Sequence, residues 1–237
     1  MRLALCLSGQ PRSYFEAQKY IKKNLLDKYN VDVFAHSWRI PGALEQIRLS
    51  EQINFIYQPL YNISDFNLPE SINSDMSVPN SSHPANFCTS MFYSIYRANE
   101  FRIRHEMQNN MKYDFVIRSR FDFALNKVID FSSLERGTVY VPKDVEGNSL
   151  LNDQFSIADS DTMNQYASTF LNLRKHYSQG VSLCGHAMLE ANLGLFKVPV
   201  KRIELNHTFT DGKFNIGRHS LVREDMSKWV DTKIWGY

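Results

Sequence analysis

Two arginines and an aspartate alternate at the end of an apolar run, and they form the strongest chemical signal in the sequence. The run from Tyr113 to Ile117 is followed by Arg118, Arg120 and Asp122. A carboxylate directly after a buried strand is well placed to hold a hard divalent cation. The two guanidinium groups suit the oxygens of a phosphate. A structural Arg–Asp ion pair that caps a strand explains the same pattern equally well.

A second polar segment, Ser8–Arg12, directly follows the apolar run Arg2–Leu7. Gly9 permits close approach of a ligand to the backbone, and Arg12 supplies a cation. The segment is neither GxGxxG nor a Walker A loop, which argues against a dinucleotide oxidoreductase and against a P-loop kinase. A plain strand-to-helix turn is the alternative interpretation.

Two later carboxylates, Asp153 and Glu190, lie in apolar, core-like sequence. A carboxylate held in such surroundings can bind sugar hydroxyls or act as a general base, so both are catalytic candidates. For Glu190 an outward-facing helix position is the favoured alternative. For Asp153 the alternative is a capping role, in which the carboxylate accepts hydrogen bonds from backbone amides of its own turn.

Several common catalytic motifs are missing from the sequence. The seven histidines show no HxxxH or HExxH spacing, which argues against a zinc hydrolase. The serines that follow apolar runs lack a nucleophile-elbow context. The three cysteines are scattered and form neither a CxxC pair nor a disulfide framework. A lone histidine such as His36 or His207 is more often a hydrogen-bonded structural residue than a ligand.

The elements that must position these groups begin with a strand, a helix and a strand. Arg2–Leu7 and Val31–His36 are apolar strand-like runs, and Tyr14–Tyr29 between them carries an uneven apolar stripe. This βαβ order predicts a parallel sheet with a right-handed crossover. We expect an α/β fold with a mostly parallel central sheet and helices on both faces. Ligands of such sheets bind beyond the carboxyl ends of the strands.

The rest of the chain continues this pattern within one domain that spans residues 1–237. Further strands are predicted at Ile53–Gln58, Gly137–Pro142, Asn152–Ala158 and Val200–Leu205. Further helices are predicted at Phe87–Asn109, Thr162–His176 and Leu183–Leu193. Tyr61–Asn86 is irregular in pattern and holds three prolines. A loop of this length inside a domain is usually functional or mobile.

Composition excludes several broad classes of protein. The 237 residues are 43% hydrophobic, enough for a real core and too many for a mainly disordered chain. A formal net charge of +2 is far below the basic excess of a dedicated nucleic-acid binder. Apolar runs are shorter than the ~20 residues of a membrane span. Together with the scattered cysteines, these features predict a soluble protein of a reducing, cytoplasmic compartment.

The order of these segments resembles small GT-A-type glycosyltransferase-like proteins of bacterial polysaccharide clusters and large DNA viruses. The segments that carry the resemblance are SGQPR, VDVFAHSW, SMFYSIYRANE, YDFVIRSRFDF and NDQFSIADSDTM. The resemblance implies a nucleotide-binding α/β sandwich in the cytoplasm of a bacterium or a virus-infected cell. It also implies an enzyme of polysaccharide biosynthesis that moves a sugar from a nucleotide-sugar donor to a glycan or other hydroxyl acceptor.

The resemblance also implies roles for individual residues. GT-A enzymes hold Mn²⁺ or Mg²⁺ with an Asp-x-Asp motif. Here the matching stretch ends in Asp122, but Arg120 replaces the first aspartate and could neutralise phosphate charge itself. Asp153 matches a donor-sugar segment, and His207 lies where a late metal ligand often lies. The nucleotide base and ribose would contact the loop after the first strand, namely Ser8, Gly9, Pro11 and Arg12.

Two other functions are compatible with the sequence. Pro11 and Arg12, followed by Ser13, weakly resemble the phosphosulfate-binding loop of sulfotransferases. A non-catalytic module that binds a nucleotide or a carbohydrate is the third possibility, and turnover of a donor would separate it from an enzyme.

Overall fold

The chain begins with the predicted strand–helix–strand unit. It consists of β1 (Leu3–Gly9), α1 (Tyr14–Ile21) and β2 (Val31–Trp38), and β1 and β2 pair in parallel. Helix α1 is shorter than predicted, because Lys22–Leu26 continues it as a π-helical turn. The computed structural model describes residues 1–11, 13–38, 54–58, 71–73, 82–143, 151–205, 209–211, 214–216 and 222–223, with side chains in 1–11, 13–38, 87–143 and 151–205.

Ten further strands and four further α-helices follow within the described residues. The strands are β3 (Asn54–Gln58), β4 (Ser71–Asn73), β5 (Ser82–Pro84), β6 (Phe115–Arg120), β7 (Val139–Pro142), β8 (Phe155–Ala158), β9 (Val200–Ile203), β10 (Phe209–Asp211), β11 (Phe214–Ile216) and β12 (Val222–Arg223). Strand β3 pairs with β2. The helices are α2 (Ala85–Gln108), α3 (Ser160–Ala167), α4 (Thr169–Ser178) and α5 (Gly185–Leu195).

Besides α1, two other predicted elements differ from the structure. The segment predicted to be irregular over Tyr61–Asn86 contains β4 and β5, which pair with each other, and it ends inside α2. The rest of that segment lies outside the described residues. The helix predicted over Thr162–His176 is two helices that meet at Ser168, and the Asp159 side chain caps the first of them.

A seven-stranded sheet, in the order β3-β2-β1-β6-β8-β7-β9, forms the centre of the fold. Strands β3, β2, β1 and β6 are parallel neighbours, and β7 and β9 are also parallel. Strand β8 runs antiparallel to both β6 and β7. The predicted α/β fold with a mostly parallel central sheet is therefore confirmed. Because β8 is reversed, the residues that precede it lie at the carboxyl end of β6.

Apolar cores lie on both faces of the sheet. Ala4, Cys6 and Val116 face a core that includes side chains of helices α2 to α5. Leu5 and Ile117 face the other core, to which α1 contributes. Strand β1 is therefore buried on both faces, which explains its near-continuous apolar sequence. Within the described part of the chain, no helix is long and apolar enough to cross a membrane.

A buried ion pair joins α2 to α3. Arg102 Nη1 lies 2.8 Å from Glu106 Oε2 and donates to Ser160 Oγ at 2.6 Å. Glu106 also accepts from Ser160 Oγ at 2.8 Å and from the backbone nitrogen of Tyr113 at 2.9 Å. Asn99 Oδ1 accepts from Arg102 Nε at 3.1 Å, and Arg102 is fully buried. A paired and hydrogen-bonded guanidinium of this kind is a structural element.

Candidate functional site

A cavity of about 250 Å³ opens where β1, β2 and β6 end, at the first turns of α2. These are the carboxyl ends of three parallel strands, the position at which open α/β sheets bind ligands. Ligand sites of other proteins commonly measure ~300–1,000 Å³. The cavity is lined by Ser8, Gly9, Gln10, Trp38, Phe87, Ser90, Met91, Arg118 and Arg120.

The strand register brings the predicted polar residues onto one face of the sheet. Ser8 lies beside Arg120 on β6, and Cys6 beside Arg118. On the other side of β1, Ser8 lies beside His36. These residues continue the face on which Ala4, Cys6 and Val116 are packed against helices, because side chains alternate along a strand. The same face is thus apolar near the middle of the strands and polar at their carboxyl ends.

Arg118 places a buried guanidinium in the wall of the cavity. Its exposure is 1%, its Nε donates to Ser8 Oγ at 3.3 Å, and its Nη1 donates to the backbone oxygen of Asp153. Across the described residues, no carboxylate oxygen lies within 4.0 Å of this guanidinium. Burial lowers the pKa of Arg118, since desolvation disfavours the charged form. The group is a buried cation whose hydrogen-bond partners are neutral, although the Asp153 and Asp122 carboxylates nearby partly offset the effect of burial on its pKa.

Arg120 and Asp122 form a bidentate ion pair next to Arg118. Arg120 Nε donates to Asp122 Oδ1 at 2.8 Å, and Nη2 donates to Oδ2 at 2.7 Å. The Arg120 side chain is 27% exposed, whereas that of Asp122 is 2% exposed. Burial opposes ionisation of Arg120, but the adjacent Asp122 carboxylate raises its pKa. Of the two interpretations left open by the sequence, the ion pair is therefore present.

The described residues do not fit the predicted Mn²⁺ or Mg²⁺ ion. Both oxygens of Asp122 accept hydrogen bonds from Arg120, and a second guanidinium, Arg118, lies two residues away on the same strand. Two positive groups so close to Asp122 would weaken the binding of a divalent cation there. Among the residues with described placement, no group of three or more His, Cys, Asp or Glu could hold a metal ion. His207, the other predicted ligand, lies outside the described residues.

The end of β1 is fixed by a serine of α2. Gly9 adopts φ +105°, a conformation that side chains disfavour, and its backbone nitrogen donates to Ser94 Oγ at 2.7 Å. Ser94 Oγ donates to the His36 backbone oxygen at 3.1 Å, and His36 Nδ1 lies 2.9 Å from the same oxygen atom of Ser94. Because Ser94 and His36 are fully buried, this contact couples the ends of β1 and β2 to α2.

Trp38 supplies an aromatic wall that the sequence analysis did not select. It is the last residue of β2 and stacks on Tyr93 with ring centres 5.4 Å apart and planes at 23°. Phe34, His36 and Trp38 alternate along β2, and Phe34 belongs to the core on the same face as the cavity. This period of two, once β2 is placed beside β1, was the signal that could have identified Trp38.

The segment before β8 closes over the end of β6. Arg120 N donates to the Gln154 backbone oxygen at 3.0 Å, and the Asp153 backbone oxygen accepts from Arg118. The half-buried Asp153 carboxylate lies against the first residue of α5, so closely that a Cβ on Gly185 would be 1.9 Å from Asp153 Oδ2. Asp153 therefore lies between the arginine cluster and a helix N-terminus, where a negative charge is favourable.

The other predicted site residues have different placements. Pro11 is buried, directly after the residues of β1 that line the cavity. Arg12 lies outside the described residues. Glu190 is exposed on α5 and does not line the cavity, so the structure does not bring it to the arginine cluster.

Comparisons with known proteins identify one family and several distant structural likenesses. A family model described as "Domain of unknown function (DUF7796)" matches residues 1–210. No curated protein matches the chain. Similar solved structures include the glycosyltransferase GlyE of Streptococcus pneumoniae TIGR4, with a TM-score of 0.47 and 11% identity over 86% of this chain and 46% of GlyE. They also include an active-site mutant of LgtC, with a TM-score of 0.46 and 11% identity over 94% of this chain and 85% of that one.

The chain thus spans just under half of the GlyE chain. At 11% identity and TM-scores below 0.5, these likenesses assign no activity. The function of this chain therefore rests on the geometry of its own site.

Proposed function

Because the chain belongs to the DUF7796 family, whose function is undefined, we infer its activity from the site and propose a glycosyltransferase that uses a nucleotide-sugar donor. The observation that carries this proposal is Arg118. Its guanidinium is buried in the wall of a cavity at the carboxyl ends of parallel strands, and it has no carboxylate partner among the described residues.

A buried cation without a hydrogen-bonded carboxylate is costly, and a bound anion that accepts its hydrogen bonds would reduce that cost. Desolvation of a charged group costs several kcal/mol even after relaxation. The beginning of α2, a helix of 24 residues, also lines the cavity through Phe87 and Ser90. The N-terminus of a helix presents free N–H groups and a partial positive charge to an anion. Arg118 and this helix end together favour a phosphate-containing ligand.

The remaining cavity residues suit the other parts of a nucleotide sugar. Trp38 offers an aromatic surface, and the backbone at Gly9 carries no side chain that would block close approach. Gln10 and Ser90 add polar groups near the opening. Ser8, Gly9 and Pro11, with Arg12 next to them in sequence, remain our candidates for contact with the nucleotide. The acceptor would be a glycan or another hydroxyl compound.

The charge development of glycosyl transfer matches this arrangement. The bond between the anomeric carbon and the donor diphosphate breaks, and its electron pair leaves with the diphosphate. The acceptor oxygen bonds to the anomeric carbon and loses its proton to a base. Arg118 and Arg120 would stabilise the negative charge that develops on the leaving diphosphate, which is the step where fixed positive groups contribute most.

Asp153 is our candidate for the base or for an anchor of the donor sugar. Its backbone is bonded to Arg118, so the carboxylate lies near the groups proposed to bind the diphosphate. Asp153→Asn keeps the size of the side chain but cannot take a proton. A base role predicts at least about a hundredfold loss of turnover with unchanged donor binding, and an anchor role predicts weaker donor binding as well. Glu190 remains the second candidate, although it is exposed.

The proposal is tested with a panel of donors. The purified chain is incubated with UDP-, GDP- and CMP-sugars and, separately, with the sulfuryl donor PAPS, and release of free nucleotide is followed. We expect turnover of a nucleotide sugar and loss of that turnover in Arg118→Met. Turnover of PAPS alone would indicate a sulfotransferase, and binding without any turnover would indicate a non-catalytic module.

A further inference from the structure

The Arg120–Asp122 pair lies at the rim of the cavity, and its two side chains differ in exposure. The Asp122 side chain is buried, while the Arg120 side chain is 27% exposed and lines the cavity. The carboxylate accepts from Nε and from one N–H of Nη2. A guanidinium has five N–H donors. The other three have no acceptor among the residues that the structure describes.

Asp122 therefore fixes the plane of the Arg120 guanidinium without using up its donors. A bidentate contact holds both nitrogen atoms in one geometry, which a single hydrogen bond does not. Because the carboxylate is buried, the pair is shielded from solvent on the side of Asp122. The free edge of Arg120 is thus pre-oriented at the opening of the cavity.

Arg118 and Arg120 are spaced to bind one diphosphate. They are two residues apart on β6, so their side chains leave the same face of the strand about 6.6 Å apart. Ser8 on the neighbouring strand lies level with Arg120 and bonds to Arg118. The carboxylates of Asp122 and Asp153 both act on this pair of arginines, and Asp122 is the one that is hydrogen-bonded to Arg120.

We propose that Arg118 and Arg120 bind the donor diphosphate in place of a divalent cation, and that Asp122 is the positioning residue that orients Arg120. This inference rests on the proposed function, since it concerns the diphosphate of the same donor. When the bond to the anomeric carbon breaks, the electron pair goes to the diphosphate oxygen, and the two guanidinium groups stabilise it through hydrogen bonds without transferring a proton. Asp122, which matches the metal-binding aspartate of GT-A enzymes, would thus orient an arginine instead of binding a metal ion.

Asp122 as a metal ligand and Asp122 as a positioning residue predict different effects of Mn²⁺ and of substitutions on the affinity for diphosphate. Binding of inorganic diphosphate and of UDP, GDP and CDP is measured calorimetrically, once in EDTA and once in MnCl₂. We expect binding in EDTA that MnCl₂ does not strengthen, because the metal ion competes with the guanidinium groups for the same phosphate oxygens. Arg120→Ala should weaken binding about thirtyfold or more in EDTA, because a charged hydrogen-bonding partner of the anion is removed.

A double-mutant cycle separates positioning from a direct role. Asp122→Ala removes a negative charge, which by itself would strengthen binding of an anion. A weaker affinity in this variant therefore reports loss of the orientation of Arg120. In the Arg120→Ala background the same change should cause no further loss, because there is no guanidinium left to orient. Asp122→Asn keeps one hydrogen-bond acceptor and should restore part of the affinity, and it serves as the second variant if Asp122→Ala folds poorly.

Each result supports or overturns the inference. Binding in EDTA with the non-additive cycle supports it. Binding that requires Mn²⁺, or an equal loss from Asp122→Ala in both backgrounds, overturns it and leaves the proposed glycosyltransferase standing. If inorganic diphosphate and the nucleoside diphosphates bind in neither buffer, the inference fails. The proposed function fails as well only if no nucleotide sugar of the donor panel, CMP-sugars included, is turned over.

Discussion

Arg118 and Arg102 are equally buried arginines, but only Arg102 is in direct contact with a carboxylate, and this contrast gives a direct test of the site. Arg102 is 0% exposed and pairs with Glu106, whereas Arg118 is 1% exposed and is held by a hydroxyl and a carbonyl. Methionine replaces the apolar stem of arginine and carries no charge. We compare Arg118→Met with Arg102→Met, first in the free protein and then with an anionic ligand.

The expected change in the free energy of unfolding follows from the partners of each group. Arg118→Met removes two hydrogen bonds from a charged donor, worth about 1.5–3 kcal/mol each. It also removes the cost of burying a cation that lacks a hydrogen-bonded carboxylate, which offsets that loss. The net change should stay within about 1 kcal/mol. Arg102→Met leaves Glu106 buried without its partner, which should cost about 3–5 kcal/mol.

The assay is urea unfolding at pH 7, followed by thermal unfolding with and without inorganic diphosphate. Ligand at a hundredfold excess over its Kd should stabilise the parent chain by about 2.7 kcal/mol. That gain should be absent in Arg118→Met. If Arg118→Met is as destabilised as Arg102→Met and still gains stability from diphosphate, Arg118 is a structural arginine and the reasoning is refuted.

Three further substitutions test how the cavity and its supporting helices are held. Gly185→Ala should displace the Asp153 carboxylate, because the added Cβ would lie 1.9 Å from Asp153 Oδ2, and it should reduce donor turnover about tenfold or more. Ser94→Ala should leave the Gly9 N–H without its acceptor, lowering the free energy of unfolding by about 1–3 kcal/mol and weakening diphosphate binding. Asp159→Ala should cost about 1–2 kcal/mol at pH 7, measured by urea unfolding. Burial raises the pKa of Asp159, but hydrogen bonds from backbone amides and a hydroxyl outweigh burial and lower that pKa in the folded protein. The stability lost in Asp159→Ala should therefore become smaller as the pH falls through the lowered pKa, because the parent protein then loses the same contribution.

Each of these substitutions has a control or a contradicting outcome. Gly194→Ala is the same change in the same helix, at a position where a Cβ meets nothing within 4 Å, and it should leave turnover unchanged. Equal turnover in both alanine variants would mean that the Asp153 carboxylate takes no part in the reaction. Ser90→Ala removes a hydroxyl that donates to the Phe87 carbonyl in the same helix and should cost less stability than Ser94→Ala. A deficit of Asp159→Ala that does not change between pH 7 and pH 3 would mean that its charge contributes nothing.

The apolar strands were predictable from the sequence, because they depend on local patterns. The runs before Ser8 and Arg118 predicted β1 and β6. That these residues share one face of the sheet depends on the register of the two strands, which the sequence does not specify. Each strand is buried on both sides, so its apolar sequence left little ambiguity. The position of the site at the carboxyl ends of the strands follows from the same parallel pairing.

The contacts between side chains of different elements were not predictable. The Arg120–Asp122 pair depends on rotamers, which the sequence does not specify, so the cation and ion-pair interpretations stayed open. The contact of Asp153 with Gly185 depends on where α5 packs. The break at Ser168 arises inside a continuous helical pattern, because tertiary packing overrides local propensity there.

The order in which β1 acquires its two neighbours has a consequence for synthesis of the chain. Strand β2 follows β1 after a single helix, so one edge of β1 can pair early. The other edge pairs with β6, which begins at Phe115 and leaves the ribosome much later. Until then the nascent chain carries an apolar strand with an open hydrogen-bonding edge, which is a template for pairing with other chains. Truncated chains that end before β6 should therefore aggregate.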